Sequence, residues 1–243
     1  MTPHEQGAPL SGRRFLAAGA ASAAGALAVP SGAGAQPAAA ATTYSLSATN
    51  NSSRYQDFCL YQKAVGLGVP GAVSLAWMTQ PARAGATVTF TWTVVYNFVW
   101  ASTGPLTSGG YFVPAGTLDA DPGNPLRNRT GFGFGKGGYG FVAASGDTPV
   151  GTLEIDVLPD VPDATTSVGI GMDSSSVFAV QADPGANLRF TLRPDYWIAA
   201  GTFSAGEILD VEEITVAAEV PFDGTLAMHA TLGPDEEWTV SAA

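Results

Sequence analysis

Apolar and polar side chains alternate along most of this chain from residue 43 onward. In the clearest stretch Val88, Phe90, Trp92, Val94, Tyr96, Phe98 and Trp100 take every second position, with Thr87, Thr89, Thr91, Thr93 and Asn97 among the residues between them. A period of two puts alternate side chains on opposite faces of an extended chain, so residues 88–100 are predicted to form one long or bent strand with a buried face. The pattern recurs in shorter form at Leu153, Ile155 and Val157, at Leu188, Phe190 and Leu192, and at Leu226, Met228, Ala230 and Leu232. Further strands are predicted over 44–48, 58–62, 73–78, 132–143, 167–173, 177–182, 207–220 and 238–240. Between them stand Gly, Pro, Asp and Asn, as in Val69-Pro70-Gly71, Asp121-Pro122-Gly123-Asn124 and Asp183-Pro184-Gly185, which suit turn geometry. No 3.6-residue apolar period lasts ten positions after residue 40. Many short strands without helices predict an all-β fold, an antiparallel β-sandwich with a closed β-barrel as the alternative.

The first forty residues follow a different rule. Arg13-Arg14-Phe15-Leu16 precedes an uncharged run rich in Ala and Gly, ending in small-residue cleavage candidates at Ala33-Gly34-Ala35 and Ala38-Ala39-Ala40. This predicts an export signal of the twin-arginine type over 1–40 and a single all-β domain over 41–243. The usual spacer between the arginine pair and Phe-Leu is missing, so a general secretory signal is the alternative. Gly, Ser and Pro30 dilute the run too far for a membrane span, which takes about 20 strongly apolar residues. The expected location is the extracellular or cell-envelope space.

Charge and residue scarcity then narrow the chemistry. The net charge of −11 becomes −12 once Arg13, Arg14 and Glu5 leave with the signal, which disfavours nucleic acid and anionic membranes as partners. Cys59 is the one cysteine, so no intramolecular disulfide can form. Its apolar neighbours predict a buried thiol. Beyond the signal the one histidine is His229, which alternates outward from Met228 and Ala230. A Ser-His-Asp or Cys-His site needs a histidine beside its nucleophile, and a zinc site needs three or four ligands. Neither is expected here, and no catalytic residue is assigned.

Carboxylates and aromatics remain. Asp119 and Asp121, in Asp119-Ala120-Asp121, are the candidate calcium ligands, since hard oxygens on a loop suit that ion; no other cofactor is expected. Asp156 with Asp160 and Asp163, Asp173, Asp210 with Glu212 and Glu213, and Asp235-Glu236-Glu237 are further acids, and two carboxylates across a cleft can cleave a glycosidic bond. Trp100, at the end of its strand, and Tyr196-Trp197, after Pro194, lie nearest to loops and are the candidate ligand-binding aromatics. The Gly-rich run from Thr130 to Phe141 lacks the Lys-Ser/Thr pair and the following helix of a phosphate loop. It predicts a hairpin turning at Lys136 to Gly138, with Phe132, Phe134, Tyr139 and Phe141 packed together.

Several blocks resemble the rhizosphere-induced RhiA-like proteins of soil bacteria. They are Phe58-Cys59-Leu60-Tyr61-Gln62, Ser74-Leu75-Ala76-Trp77, Phe90-Thr91-Trp92 with Tyr96-Asn97-Phe98-Val99-Trp100, Ser167 to Met172, Phe178-Ala179-Val180-Gln181 and Tyr196-Trp197-Ile198. The resemblance implies no established enzymatic activity and no catalytic motif, so no functional residue carries over from it. The expected function is a secreted, non-catalytic binding protein or surface component whose partner is an extracellular ligand or protein, carbohydrate included. The alternatives are a carbohydrate-active protein, either lectin-like or a carboxylate-dependent glycosidase, and a calcium-stabilised interaction domain.

The exported protein is expected to begin between about residues 34 and 45, because the small-residue sites precede the first strand; N-terminal sequencing of secreted material checks this. Replacing Arg13 and Arg14 together by Lys should leave precursor inside the cell, whereas undiminished export would point to the general secretory route.

Overall fold

The computed structural model describes residues 42–135, 137–144 and 147–243. The export signal with Arg13 and Arg14, its cleavage sites and Lys136 at the hairpin turn lie outside these residues. The described residues form β-strands and no helix, so none is long and apolar enough to cross a membrane.

The strands make four open sheets. In the first, β1 (Thr43–Asn50) lies between β5 (Thr87–Thr93), antiparallel to it, and β16 (Ala227–Leu232), parallel to it, with β17 (Trp238–Ala242) outermost. In the second, β2 (Gln56–Gln62) and β14 (Tyr196–Gly201) pair centrally between β4 (Met78–Ala82) and β15 (Ala217–Val220). The third has the order β3 (Val73–Ser74), β12 (Ser175–Gln181), β11 (Ser167–Met172), β6 (Tyr96–Ala101), β7 (Gly116–Ala120). The fourth runs β13 (Asn187–Thr191), β10 (Thr152–Val157), β8 (Arg129–Gly135), β9 (Gly138–Val142), with β8 and β10 parallel. Each sheet ends in two edge strands, so the fold is of the sandwich type and no barrel closes. One main core draws Leu46 and Phe90, Leu60 and Ile198, Phe98 and Ile170, and Phe132 and Ile155 from the four sheets in turn.

The predicted strand over 88–100 is in fact two strands in two sheets. Alternation is continuous across the break, but Val94 and Val95 leave the ladder, and the Val95 N–H closes a tight turn by donating to the Thr93 carbonyl at 2.9 Å. The period persists because both strands face the same core, while hydrogen-bonding partners change at residue 94. In β5 the prediction holds in detail: Phe90 and Trp92 are buried, Thr89 and Thr91 exposed. In β6 both faces are covered. Phe98 enters the main core, and Val99 and Ala101 pack under Phe112, Leu75 and Ile208.

Other boundaries also move. The predicted strand over 207–220 is mostly turn and bridge, pairing as a strand only at β15; its apolar residues Leu209, Val211 and Ile214 instead cover the second face of β2 and β14 beside Cys59 and Tyr61. Leu226 precedes β16 and is half exposed rather than inward. Strand β7, without a usable alternation, went unpredicted. Tyr196 and Trp197 begin β14, directly after the connection at Pro194 and Asp195.

Two local constructions stabilise the assembly. Trp92 packs against Tyr44, Trp77, Tyr196 and Phe222, with ring centroids 4.9 to 5.8 Å away, a separation at which aromatic pairs gain beyond area burial. Trp77 is anchored in turn, its indole N–H donating to the Met172 carbonyl at 3.0 Å. On the fourth sheet Glu154 is buried between Arg129 at 3.2 Å and Arg189 at 2.7 Å, with the Asn187 amide donating at 2.7 Å. Burial alone would raise the Glu154 pKa; the Asn187 and Arg189 hydrogen bonds and the two guanidinium charges outweigh it and hold the group below the usual glutamate value.

Trp92→Ala is expected to destabilise the fold by about 3 to 5 kcal/mol, the range for emptying a large buried aromatic site. Thr91→Ala, on the exposed face, should stay within about 0.5 kcal/mol. Urea melts of the two variants check the assigned face, and equal midpoints would remove it.

Candidate functional site

The outer face of the five-stranded sheet carries a cross-strand row of unusual composition. Directly opposite residues in paired strands point to the same side. Asp119 of β7 faces Asn97 of β6, Asn97 faces Gly171 of β11, and Gly171 faces Ser176 of β12. The row lies beyond the end of the cover that Phe112 and Ile208 provide over Val99 and Ala101. It opens into two clefts, one on each flank of the β11–β12 hairpin.

The first cleft has a volume of about 360 Å³, within the size range of small-molecule sites. Its walls come from the strand switch, Thr93 to Asn97, from Thr117 and Asp119 of β7, and from Asp173 and Ser174 at the hairpin tip. The tip is held in place: the Asp173 N–H donates to the Val95 carbonyl at 2.9 Å, and the Thr93 hydroxyl donates to the Asp173 carboxylate at 2.9 Å. Asp173 and Ser174 have φ of 51° and 67°, the paired left-handed conformation of a two-residue hairpin turn. Aspartate suits the first of these positions, but glycine usually fills the second, so Ser174 carries backbone strain next to the cleft.

Asn97 lies at the floor. It is only 7% exposed, and its amide nitrogen Nδ2 has no hydrogen-bond partner among the described residues. Its room is made by Gly171, where a Cβ would stand 2.7 Å from Nδ2 and 2.8 Å from Oδ1. The neighbouring Tyr96 ring points the other way, into the main core, where burial, with the Tyr44 hydroxyl adding to it, raises its phenol to about 12. The second cleft, about 240 Å³, lies between Trp77, Phe112 to Pro114, Ser174 to Ser176, and Ala205 and Gly206. The Ser176 hydroxyl, in a residue 7% exposed, also lacks a partner.

The residues singled out from sequence are placed as follows. Asp119 lines the first cleft and pairs with Arg127 at 3.4 Å. Asp121 lies past the strand and accepts the Gly123 N–H at 2.9 Å. Among the described residues no three His, Cys, Asp or Glu side chains gather with the spacing of a metal site. Trp100 lays its indole over Gly116, where a Cβ would collide with the ring, and packs near Phe132 and Tyr139 at 5.7 and 5.8 Å. Tyr196 is buried in the Trp92 cluster, and its hydroxyl, pushed up by burial, has no partner. Trp197 is half-buried under the Lys63 ammonium, 3.2 Å from the ring centroid. Trp100 therefore lies on the third sheet and Tyr196 and Trp197 on opposite faces of β14 in the second, so the three form no common platform. Cys59 is fully buried and its thiol is pushed up by burial, while His229 is exposed on β16 opposite Ser47 and Ser241.

Asn97, Thr93 and Ser176 were not legible as site residues. In sequence Asn97 is one more polar position in an alternating strand. Its setting depends on Asp119 and Gly171, which only the strand pairing brings to either side of it.

The RhiA family model matches residues 41–243. Protein RhiA of Rhizobium leguminosarum bv. viciae is 37% identical over 216 residues, which cover 86% of this chain and 92% of that protein. No solved structure matches the chain.

Ser174→Gly should raise stability by roughly 0.5 to 1 kcal/mol, the left-handed penalty it relieves less the larger unfolded-state entropy of glycine. Ser175→Gly, one residue into β12, should lower it. Thermal melts of the two variants check the turn assignment, and a Ser174→Gly variant less stable than the parent would contradict it.

Proposed function

We propose, on the premise that this chain belongs to the RhiA family, that it is an exported, non-catalytic binding protein whose outer-face cleft takes one unit of a neutral sugar. Export rests on the arginine pair and the uncharged run of the first forty residues. The family match starting at residue 41 is consistent with a folded part that begins where that run ends.

Asn97 carries the binding reading. A buried amide without a partner costs about 1 to 3 kcal/mol, and this one lines a cleft of ligand size. Around it stand two carboxylates, two threonine hydroxyls and a serine. Carboxylates accept paired hydrogen bonds from neighbouring hydroxyls, and amides both donate and accept. Asp119 and Asp173 would repel uronates and phosphates, as does the overall negative charge. Both carboxylates already accept a partner, Arg127 and the Thr93 hydroxyl, which suits ligand orientation better than proton donation.

The test is glycan-array binding by the exported protein together with a reducing-sugar release assay on the same glycans. Binding of neutral glycans without release is expected. Asp173→Asn keeps a residue that tolerates the left-handed turn and should weaken binding by at least about tenfold, since hydrogen bonds to charged groups contribute roughly 1.5 to 3 kcal/mol. Release that vanishes in Asp119→Asn or Asp173→Asn would make the protein a glycosidase and overturn the reading. So would absence of binding across the array.

A further inference from the structure

The two clefts beside the β11–β12 hairpin lie on one face of one sheet. Along the row Asp119, Asn97, Gly171, Ser176, successive residues belong to hydrogen-bonded neighbouring strands, about 4.8 Å apart. Asn97 and Ser176 are therefore roughly two strand spacings apart, with Gly171 between them and no side chain in the gap. Each carries a buried polar atom without a partner, and each faces a different cleft. Ser174, exposed at the hairpin tip, lines both.

The clefts differ in chemistry. The first is walled by Asp119, Asp173 and Thr93. The second is backed by the buried Trp77 and Phe112, exposes Val113 and Pro114 as its apolar wall, and has Ser176 as its buried hydroxyl. From this we infer that the two clefts are adjacent subsites for one ligand, a neutral glycan of at least two sugar units that crosses Ser174, one unit held by hydrogen bonds to Asp173 and Asn97 and the next packed against Val113 and Pro114 with a hydroxyl paired to Ser176. This rests on the sugar-binding reading of the first cleft and adds the length of the ligand. The spacing fits a ligand of more than one unit, because two strand spacings come to about 9.6 Å, a gap that one sugar ring does not bridge and two linked rings can. The second cleft supplies mainly apolar contact, so it should add affinity for a second unit without binding a single sugar.

The test is calorimetric titration of the exported protein with matched pairs: glucose with cellobiose, mannose with mannobiose, and N-acetylglucosamine with chitobiose. At least one disaccharide should bind about tenfold or more tightly than its monosaccharide. Ser176→Ala should reduce that advantage severalfold. It removes a hydroxyl that has no partner in the fold, so its melting temperature should match the parent and a folding defect is separable. Asp173→Asn should weaken both ligands of a pair alike. Monosaccharide binding with no gain for any disaccharide would overturn the two-subsite inference and leave the single-cleft reading standing. A gain that survives intact in Ser176→Ala and in Val113→Ser would overturn it as well. No binding by any of the six sugars would remove both.

Discussion

The contact on which the structure depends is the packing of Trp92 among Tyr44, Trp77, Tyr196 and Phe222. Tyr44 and Trp92 belong to the first sheet, Tyr196 to the second, and Trp77 is tied by its indole N–H to Met172 in the third. One group of rings thus joins three sheets that share no continuous ladder. Large aromatic side chains suit this position because each buries a wide area with few rotatable bonds. The chain has no disulfide to do the same work, and its cysteine is spent on packing beside Tyr61 and Leu209.

That junction also explains where the candidate site lies. Immediately after Trp92 the chain leaves the first sheet at Val94 and Val95 and enters the third at Tyr96. The switch gives the first cleft its wall, and the Val95 carbonyl holds the β11–β12 tip that forms the opposite wall. Trp77, locked in the same cluster, reaches the base of the second cleft. A site built on strand ends and a pinned two-residue turn is held more firmly than one on a long loop, which favours recognition of a defined shape.

The polar groups divide between support and recognition. Glu154, with Arg129, Arg189, Asp156 and Asn187, forms a network whose members pair with one another, and such a network orders the surface of its sheet without offering much to a ligand. Asp235 and Asp210 accept backbone N–H groups in their own turns. Asn97 and Ser176 are different because they are buried, lack partners and line clefts. That contrast, rather than the number of acidic residues, separates the outer-face row from the rest of an acidic surface.

Much of the architecture was legible in the sequence. The period-two pattern identified the strands because a half-buried sheet imposes it residue by residue, and Gly, Pro, Asp and Asn marked the turns because few other residues tolerate the required dihedrals. The buried cysteine, the outward histidine and the packed Gly-aromatic hairpin followed from the same local rules. The blocks from Phe58 to Ile198 pointed to the family that the comparisons show. Tertiary structure decided what periodicity cannot carry. Alternation records which face is buried but not which strand pairs with which, so the division of 88–100 between two sheets left no trace in the pattern. It likewise cannot mark the second face of a strand as covered, since that cover comes from segments distant in sequence. Asn97 reads as a solvent-facing position until Asp119 and Gly171, distant in sequence, pair on either side of it, and Trp100, Tyr196 and Trp197 read as available aromatics until Gly116, Trp92 and Lys63 occupy them.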